Sequence, residues 1–432
     1  MQRVNLGKLR EPFPLMKYIQ IYLIITILLY VLGPVDWKTR LPFLTFTVVA
    51  FYQFALWWGY DKGSKRDVVK NTSSFTQESF VRNFWLIAFI VLIITALRIV
   101  RISQLYGFSG VVNLIETAFT SASDIYRGDK ATTVGSQMYG GTLLSIAAGL
   151  VGPFAVMFVP MTIITFNKLR LSKKIMGITT IVVFALSKLV AGTNEGFFEP
   201  VLYVIIGFLL KENSNQTNHN GIWMILGAIA VVFLFNLVMT DRNGTFYEFG
   251  QLGENRINTE KGLYQYVPDG LKVLFIWLTF YIAQGYYGMS LALTGDWTPM
   301  FGAGFSSYLR GNLQPLFNHD LAKDTLMATT NQYGWFYGVN WHTAYTWFAS
   351  DVWWFGVFFI MLGMGYLLGR VFKEAYYTKN PIAVGMFALL LMFCIFIPAN
   401  NKVFANSDTF FAFFTYLIIW LNSHSYNKQW KI

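Results

Sequence analysis

The chain is 432 residues long, with 55% hydrophobic and only 13% charged residues and a formal net charge of +11. An ordinary soluble domain carries about a quarter charged residues, so about half the usual polar surface is missing and the two or three soluble domains that length alone would suggest are excluded. The basic residues sit in short loops between apolar runs, which assigns the positive charge to topology and anionic lipid headgroups and excludes nucleic acid as the partner.

In chain order, a basic stretch with Arg3, Lys8, Arg10 and Lys17 precedes the first apolar run. No small-residue cleavage site follows, so this run is expected to stay as the first span. Apolar runs lie near 18–34, 43–59, 84–102, 141–166, 175–192, 197–210, 221–240, 352–369, 381–397 and 409–422. They are long and lack the alternation of strands, so each predicts a helix. Lys62, Lys65, Arg66, Lys70 and Arg82 fill the second loop, and Lys168, Arg170, Lys173 and Lys174 a later loop of the same parity. The excess of Lys and Arg places these loops and the N-terminus in the cytoplasm. The run 271–293 is apolar enough to span, but it carries Gln284 at its centre, Gly285 and Gly288, and many Tyr and Trp. Those features predict an interfacial or re-entrant helix, which keeps Arg370, Lys373, Lys379 and the C-terminus inside. The expectation is an all-α, polytopic integral membrane protein with about ten transmembrane helices plus this external helix. Residues 1–432 form one membrane domain, and 241–351 a large external (periplasmic or extracytoplasmic) segment. A second external loop, 103–140, holds an amphipathic stretch at 107–123, and 213–220 is a polar cytoplasmic loop.

The single cysteine, Cys394, lies in an apolar run, so no disulfide framework or thiolate metal site is possible. No HExxH, paired His, acidic DxD cluster, Walker A, GxGxxG or GxSxG motif is present, which argues against a zinc protease, an ATPase and a nucleotide-sugar glycosyltransferase. No metal and no cofactor is expected. His219 and His424 fall in cytoplasmic segments, and His319 and His342 in the external one. His342 stands just ahead of a span among aromatics, where an imidazole can exchange protons near neutral pH; an incidental place in an interfacial aromatic belt is the other reading. Arg98 and Arg101, three apart at the outer end of the third span, share a helix face, and guanidinium forks suit phosphate oxygens. Snorkelling to headgroups is the alternative. Lys188, Glu195 and Glu199 flank the outer end of the fifth and sixth spans, where ionisable residues point to function by default; a simple pairing of Lys188 with Glu195 is the alternative.

The turn Ala191-Gly-Thr-Asn-Glu-Gly196, the large external segment and His342-Thr-Ala-Tyr345 followed by Asp351 and Gly356 resemble Wzy-type polysaccharide repeat-unit polymerases, relatives of the O-antigen ligases. Tyr281–Leu293 resembles the external segment these polymerases lay beside the active cleft, and Arg242 precedes Gly253 with the Arg-x10-Gly spacing of some members. Many members carry an Arg in the turn after the fifth span; Thr193-Asn194-Glu195 stands there instead.

The resemblance implies a metal-independent glycosyltransferase in the bacterial cytoplasmic (inner) membrane, with both termini cytoplasmic. It would join polyprenyl-diphosphate-linked oligosaccharide repeat units into a surface polysaccharide on the outer face. It implies His342 and Arg242 as catalytic residues, with Arg98, Arg101, Arg256 and Arg310 on the diphosphate. Trp297, Tyr333, Trp335, Tyr337 and Trp341 would hold sugar faces. Implied partners are the lipid-linked oligosaccharides, the bilayer, and a flippase and chain-length regulator of the same pathway. An O-antigen-ligase-like transferase and a lipid-linked glycan transporter or flippase are the alternatives.

Overall fold

The computed structural model describes residues 12–67, 75–105, 110–120, 143–190, 195–211, 251–252 and 255–425. They form a predominantly helical molecule with helices α1 (Leu15–Leu32), α2 (Pro42–Ser64), α3 (Gln77–Arg82), α4 (Phe84–Leu105), α5 (Val111–Thr120), α6 (Leu143–Thr165) and α7 (Leu171–Leu189). Then follow α8 (Glu195–Leu210), α9 (Asp269–Ala292), α10 (Ser307–Leu313), α11 (Ala344–Thr378), α12 (Pro381–Phe396), α13 (Lys402–Ala405) and α14 (Ser407–Ser425). Leu15–Leu32, Phe84–Gln104, Ile146–Lys168 and Ala344–Thr378 are long and apolar enough to cross a membrane, and Phe198–Leu210 and Pro381–Phe396 are shorter apolar helices. The apolar runs fall on helices wherever they are described. The run 221–240, and Arg242 after it, lie outside the described residues.

Helix α12 occupies the centre. It is apolar all round, and every residue from Pro381 to Cys394 except Leu391 is buried, as such a sequence requires. The Asn380 side chain caps its start by accepting from the Ile382 and Ala383 N–H groups. Around it pack α1, α6, α8, α11 and α14. Helices α2 and α11 run side by side in the same direction through glycines. A Cβ on Gly59 would lie 2.0 Å from the Leu362 carbonyl oxygen, and one on Gly365 2.1 Å from that of Leu56. Bare backbone lets the helices close, which is how packing holds helices together where lipid supplies no hydrophobic drive. Proline interrupts α6 at Pro153 and Pro160. There Tyr416 of α14 donates its hydroxyl to the Pro153 carbonyl.

The two ends of the bundle differ. At one end Lys373 donates to the Ser64 carbonyl at 2.8 Å, Lys379 to the Leu210 carbonyl, and Trp420 to Glu374 at 2.8 Å. This end gathers Lys62, Lys65, Arg66, Arg82, Lys168, Arg170, Lys173, Lys174 and Arg370. The other end carries a three-stranded antiparallel sheet of β1 (Val35–Asp36), β2 (Gln251–Leu252) and β3 (Asn255–Ile257), in the order β1-β3-β2. The β1–β3 register pairs Val35 with Ile257 and Asp36 with Arg256.

Helix α12 stops well short of the sheet end. The Ile395 carbonyl accepts from the Tyr22 hydroxyl at 2.7 Å, and Tyr22 lies roughly 15 Å along α1 from Leu32. The chain between 255 and 343 fills the space above. Thr279 of α9 sits beside Gly33 at the end of α1, and the Tyr286 hydroxyl meets the Thr26 hydroxyl at 2.9 Å. From Ala283 to Ala292 α9 is buried on all sides. Helix α11 starts at this depth too, its Ala344 N–H donating to the Ile397 carbonyl at 2.9 Å. It begins eight residues before the expected span, because Thr343 accepts from the Thr346 N–H and caps a first leg. At Trp353 the backbone turns to φ 57°, ψ 173°, a region that costs a non-glycine residue about 1–3 kcal/mol. The Tyr52 hydroxyl donates to the Trp354 carbonyl beside this kink.

Candidate functional site

His342 lies where α9, the first leg of α11 and the 327–341 turn meet. It is 2% exposed. Gly288 makes room for it: a Cβ there would lie 2.8 Å from His342 Cδ2. Nε2 sits 3.1 Å from Thr330 Oγ1. That hydroxyl also lies 2.7 Å from the Met327 carbonyl and 2.6 Å from that of Trp335, yet has one proton to give. The backbone of Asn340 hydrogen-bonds the ring as well. Burial pushes the imidazole pKa down to about 3, against a small upward pull from Asn340. The ring is therefore neutral at working pH, enclosed, and engaged with protein groups.

Further hydrogen bonds hold this turn. Trp335 Nε1–H donates to the Trp341 carbonyl at 3.3 Å, and the Trp341 N–H to Gln284 Oε1 at 3.2 Å. Trp335 is 1% exposed and edges onto Tyr287 at 4.9 Å, so it offers no open face here. Trp341 is half-buried, edge-on to Tyr281 at 4.9 Å. Tyr333 lies under the Arg40 guanidinium, 3.7 Å from its ring centroid, and Tyr337 is half-buried. Trp297 donates to the Ser350 carbonyl at 3.2 Å.

The second constellation is ionic. Lys188 Nζ lies 2.6 Å from Asp408 Oδ2 and 2.8 Å from Glu199 Oε2, with side-chain exposures of 7%, 13% and 3%. Arg98 Nη1 stands 3.6 Å from Asp408, and the Tyr203 hydroxyl donates to Glu199 at 3.2 Å. Lys402, itself buried, is within electrostatic reach of Asp408. Helices α4, α7, α8 and α14 each contribute one member. Gly152 locks the last in place, since a Cβ there would lie 2.2 Å from the Asp408 carbonyl oxygen. Among the described residues the ion-paired set is Arg98, Lys188, Glu199 and Asp408. Within it the ammonium of Lys188 pairs with Glu199, one turn beyond Glu195 on α8, and with the distant Asp408. The side chain of Glu195 lies outside the described residues.

Arg310 of α10 is 7% exposed. It donates to the Ala303 and Gly304 carbonyls at 3.2 and 3.4 Å and lies 5.6 Å over the Trp347 ring. Burial lowers its pKa, with Tyr337, Asp320 and Asp351 opposing. Beside it the Asp351 carboxylate accepts from the Gly302, Gly304 and Phe305 N–H groups at 2.7, 3.1 and 2.6 Å. Gly302 adopts φ 102° and Phe301 φ 50° to turn those groups inward.

His342, Trp335 and Trp341 thus belong to one turn, and Arg98 to the ionic group. Arg310 holds the 303–304 loop, while Arg256 is an exposed strand residue of the sheet. Arg101 is half-buried on α4, and Arg242 lies outside the described residues. The chain between 397 and 408 joins the constellations: Ile397 receives Ala344, Asn401 donates to the Phe305 carbonyl at 2.8 Å, and Lys402 and Asp408 follow. Sequence reading singled out Lys188 and Glu199 but missed Arg40, Lys402 and Asp408. Asp408 had a signal, a lone carboxylate at the head of an apolar run. Among the described residues no three His, Cys, Asp or Glu side chains gather as a metal-holding group. No protein-family model, no curated protein and no solved structure matches the chain.

Proposed function

We propose that this chain is a multi-pass protein of about ten spans in a bacterial cytoplasmic membrane, with its basic end and both termini in the cytoplasm. On this reading α9 is re-entrant from the outer side. At that side the protein joins polyprenyl-diphosphate-linked oligosaccharide repeat units into a surface polysaccharide. The observation that carries the reading is the ionic group around Asp408. Charge buried in an apolar bundle is expensive and marks function by default, and this group sets the partly exposed Arg98 guanidinium beside it, at the end opposite the basic loops.

The chemistry asks for such a group. The acceptor hydroxyl at the non-reducing end of one glycan attacks the anomeric carbon of the other. A new carbon–oxygen bond forms there, and the bond to the diphosphate oxygen breaks. Negative charge grows on the departing polyprenyl diphosphate, and fixed cations aimed at it lower the barrier. Arg98, with 35% of its side chain exposed and its contact to Asp408 longer than a hydrogen bond, has a fork left to offer. Lys188, Glu199 and Asp408 hold that guanidinium in place. The hydroxyl proton passes to a base. His342 serves in that role only when the 327–341 turn opens, because its nitrogens are engaged when the turn is closed. Closed, it positions the turn that carries Trp341 and Tyr333.

Purified protein in liposomes, given a lipid-linked repeat unit, is expected to yield a ladder of polymer with release of polyprenyl diphosphate, and Arg98→Gln is expected to suppress it. Transfer to a different acceptor without a ladder would make the protein a ligase-like transferase. Movement of the lipid-linked glycan across the bilayer without any new glycosidic bond would make it a transporter.

A further inference from the structure

A cavity of about 470 Å³ opens at the basic end, between α3 and the start of α7, far along the bundle from the ionic group. Arg82, Lys168, Arg170 and Lys173 line it, with Glu78 the one carboxylate. Lys168 is tethered to Gln77 Oε1 at 3.1 Å and Lys173 to the Val81 carbonyl at 2.5 Å, both neutral oxygens. Among the described residues none of the four cations has a carboxylate within ion-pair distance. Among the described residues the cavity lining therefore carries a net charge of +3, four cations against one anion.

Apolar surface continues directly from its rim. Trp85 lines the cavity; beyond it on α4, Leu86, Phe89 and Ile93 are 63, 56 and 40% exposed, and on the adjoining α7, Ile175 and Ile178 are 58 and 52% exposed. Spacings of three and four residues put these side chains on one outward stripe of each helix. In a bilayer that stripe faces acyl chains, so a polar, cation-lined hollow sits at the head of a lipid-facing groove.

We propose that this hollow is a specific site for an anionic phospholipid, its headgroup phosphates on Arg82, Arg170, Lys168 and Lys173 and its chains along α4 and α7. The net charge favours a headgroup with two phosphate diesters, as in diphosphatidylglycerol, over one with a single phosphate. Guanidinium groups bind phosphate oxygens by paired, charge-assisted hydrogen bonds, and basic pockets between helices on the cytoplasmic side recruit such headgroups. The inference rests on the membrane reading and is independent of the glycan chemistry.

Native mass spectrometry of the whole protein tests it. The detergent-purified chain is titrated with diphosphatidylglycerol, with phosphatidylcholine of the same chains, and with inorganic phosphate. One diphosphatidylglycerol is expected to be retained at least tenfold more tightly than phosphatidylcholine, and millimolar phosphate is expected not to displace it. Arg82→Gln/Arg170→Gln/Lys173→Gln is expected to lose that preference, and Arg170→Gln alone to weaken it. Lys62→Gln/Lys65→Gln, at the same end but outside the cavity, is expected to keep it. Equal retention of the zwitterionic lipid, displacement by phosphate, or equal losses in the cavity and control variants would overturn the site. The single Arg170→Gln variant decides the matter if the triple variant does not fold.

Discussion

Lys188→Met is the most informative single substitution. Methionine fills nearly the same volume and removes the charge between Glu199 and Asp408. Asp408 would keep Arg98 at 3.6 Å, but Glu199 would keep only the Tyr203 hydroxyl at 3.2 Å. Breaking a buried ion pair by removing one partner costs about 3–5 kcal/mol, most of it from the charge left behind. That is a roughly 150- to 4000-fold shift in the folding equilibrium. The double variant Lys188→Met/Glu199→Gln removes the orphaned anion and keeps an acceptor for Tyr203, so it should recover more than half of the loss. Equilibrium unfolding in mixed micelles, followed by tryptophan fluorescence, measures both variants and Glu199→Gln alone, closing a double-mutant cycle. A single-variant cost under about 1 kcal/mol would mean that water already solvates the site as at a surface pair. A double-variant cost equal to the sum of the singles would show that Lys188 and Glu199 do not interact. Either result would remove the argument that this group is buried charge held for a purpose.

Four further outcomes are expected. The unfolded state binds a proton on His342 as pH falls below its ordinary value of 6.5, while the folded state waits until about 3. Between those values stability should fall with falling pH by about 1.4 kcal/mol per unit on this account, and His342→Gln should flatten the slope by that amount; an unchanged slope would show the ring titrating normally. In the liposome assay the same Gln variant should keep part of the ladder that His342→Ala loses, since an amide can hold the turn but cannot act as a base. Gly365→Leu would drive a side chain into the Leu56 carbonyl, and the backbone cannot yield there; a loss of about 3 kcal/mol, at the upper end of the overpacking range, should appear as reduced thermal stability in detergent. Asp351→Asn removes the charge from a group accepting three backbone N–H bonds and should cost about 1.5–3 kcal/mol, read as faster hydrogen exchange at Gly302, Gly304 and Phe305; protection equal to that of the parent would count against the clamp.

Much of the architecture was legible because its signal is one-dimensional. A run such as 381–397 is apolar at every position, and only a buried or lipid-facing helix tolerates that. Its central place could not be read, since a helix surrounded by protein and one surrounded by lipid need the same composition. The early start of α11 was hidden because His342 to Asp351 mixes polar and aromatic residues, and only Thr343 in a capping pose makes them helical. The pairing of Lys188 with Asp408 has a related cause. A local rule favours a neighbour such as Glu195, while Asp408 is 220 residues away and arrives only when α14 packs on α6 through Gly152. Arg40 went unnoticed for a different reason: it sits in a short loop, yet its guanidinium reaches Tyr333 across the filled space above α12.

The two ends of the bundle treat positive charge in opposite ways, and the asymmetry bears on function. At the basic end cations are mostly exposed or bound to carbonyl oxygens, as with Lys373 and Lys379. Water and headgroups keep the exposed charge cheap, and the buried Lys373 is met by the Ser64 and Arg66 carbonyls. At the other end Lys188, Lys402 and Arg310 are buried, each at a desolvation cost of several kcal/mol. An apolar side chain at position 188 with neutral residues at 199 and 408 would pack the same helices without that cost. A chain that instead keeps these ions holds Arg98, with 35% of its side chain exposed, at 3.6 Å from Asp408, a guanidinium positioned by buried charge. On the proposed reading the anion that meets it is the diphosphate of a lipid-linked glycan, carried there by its own apolar tether.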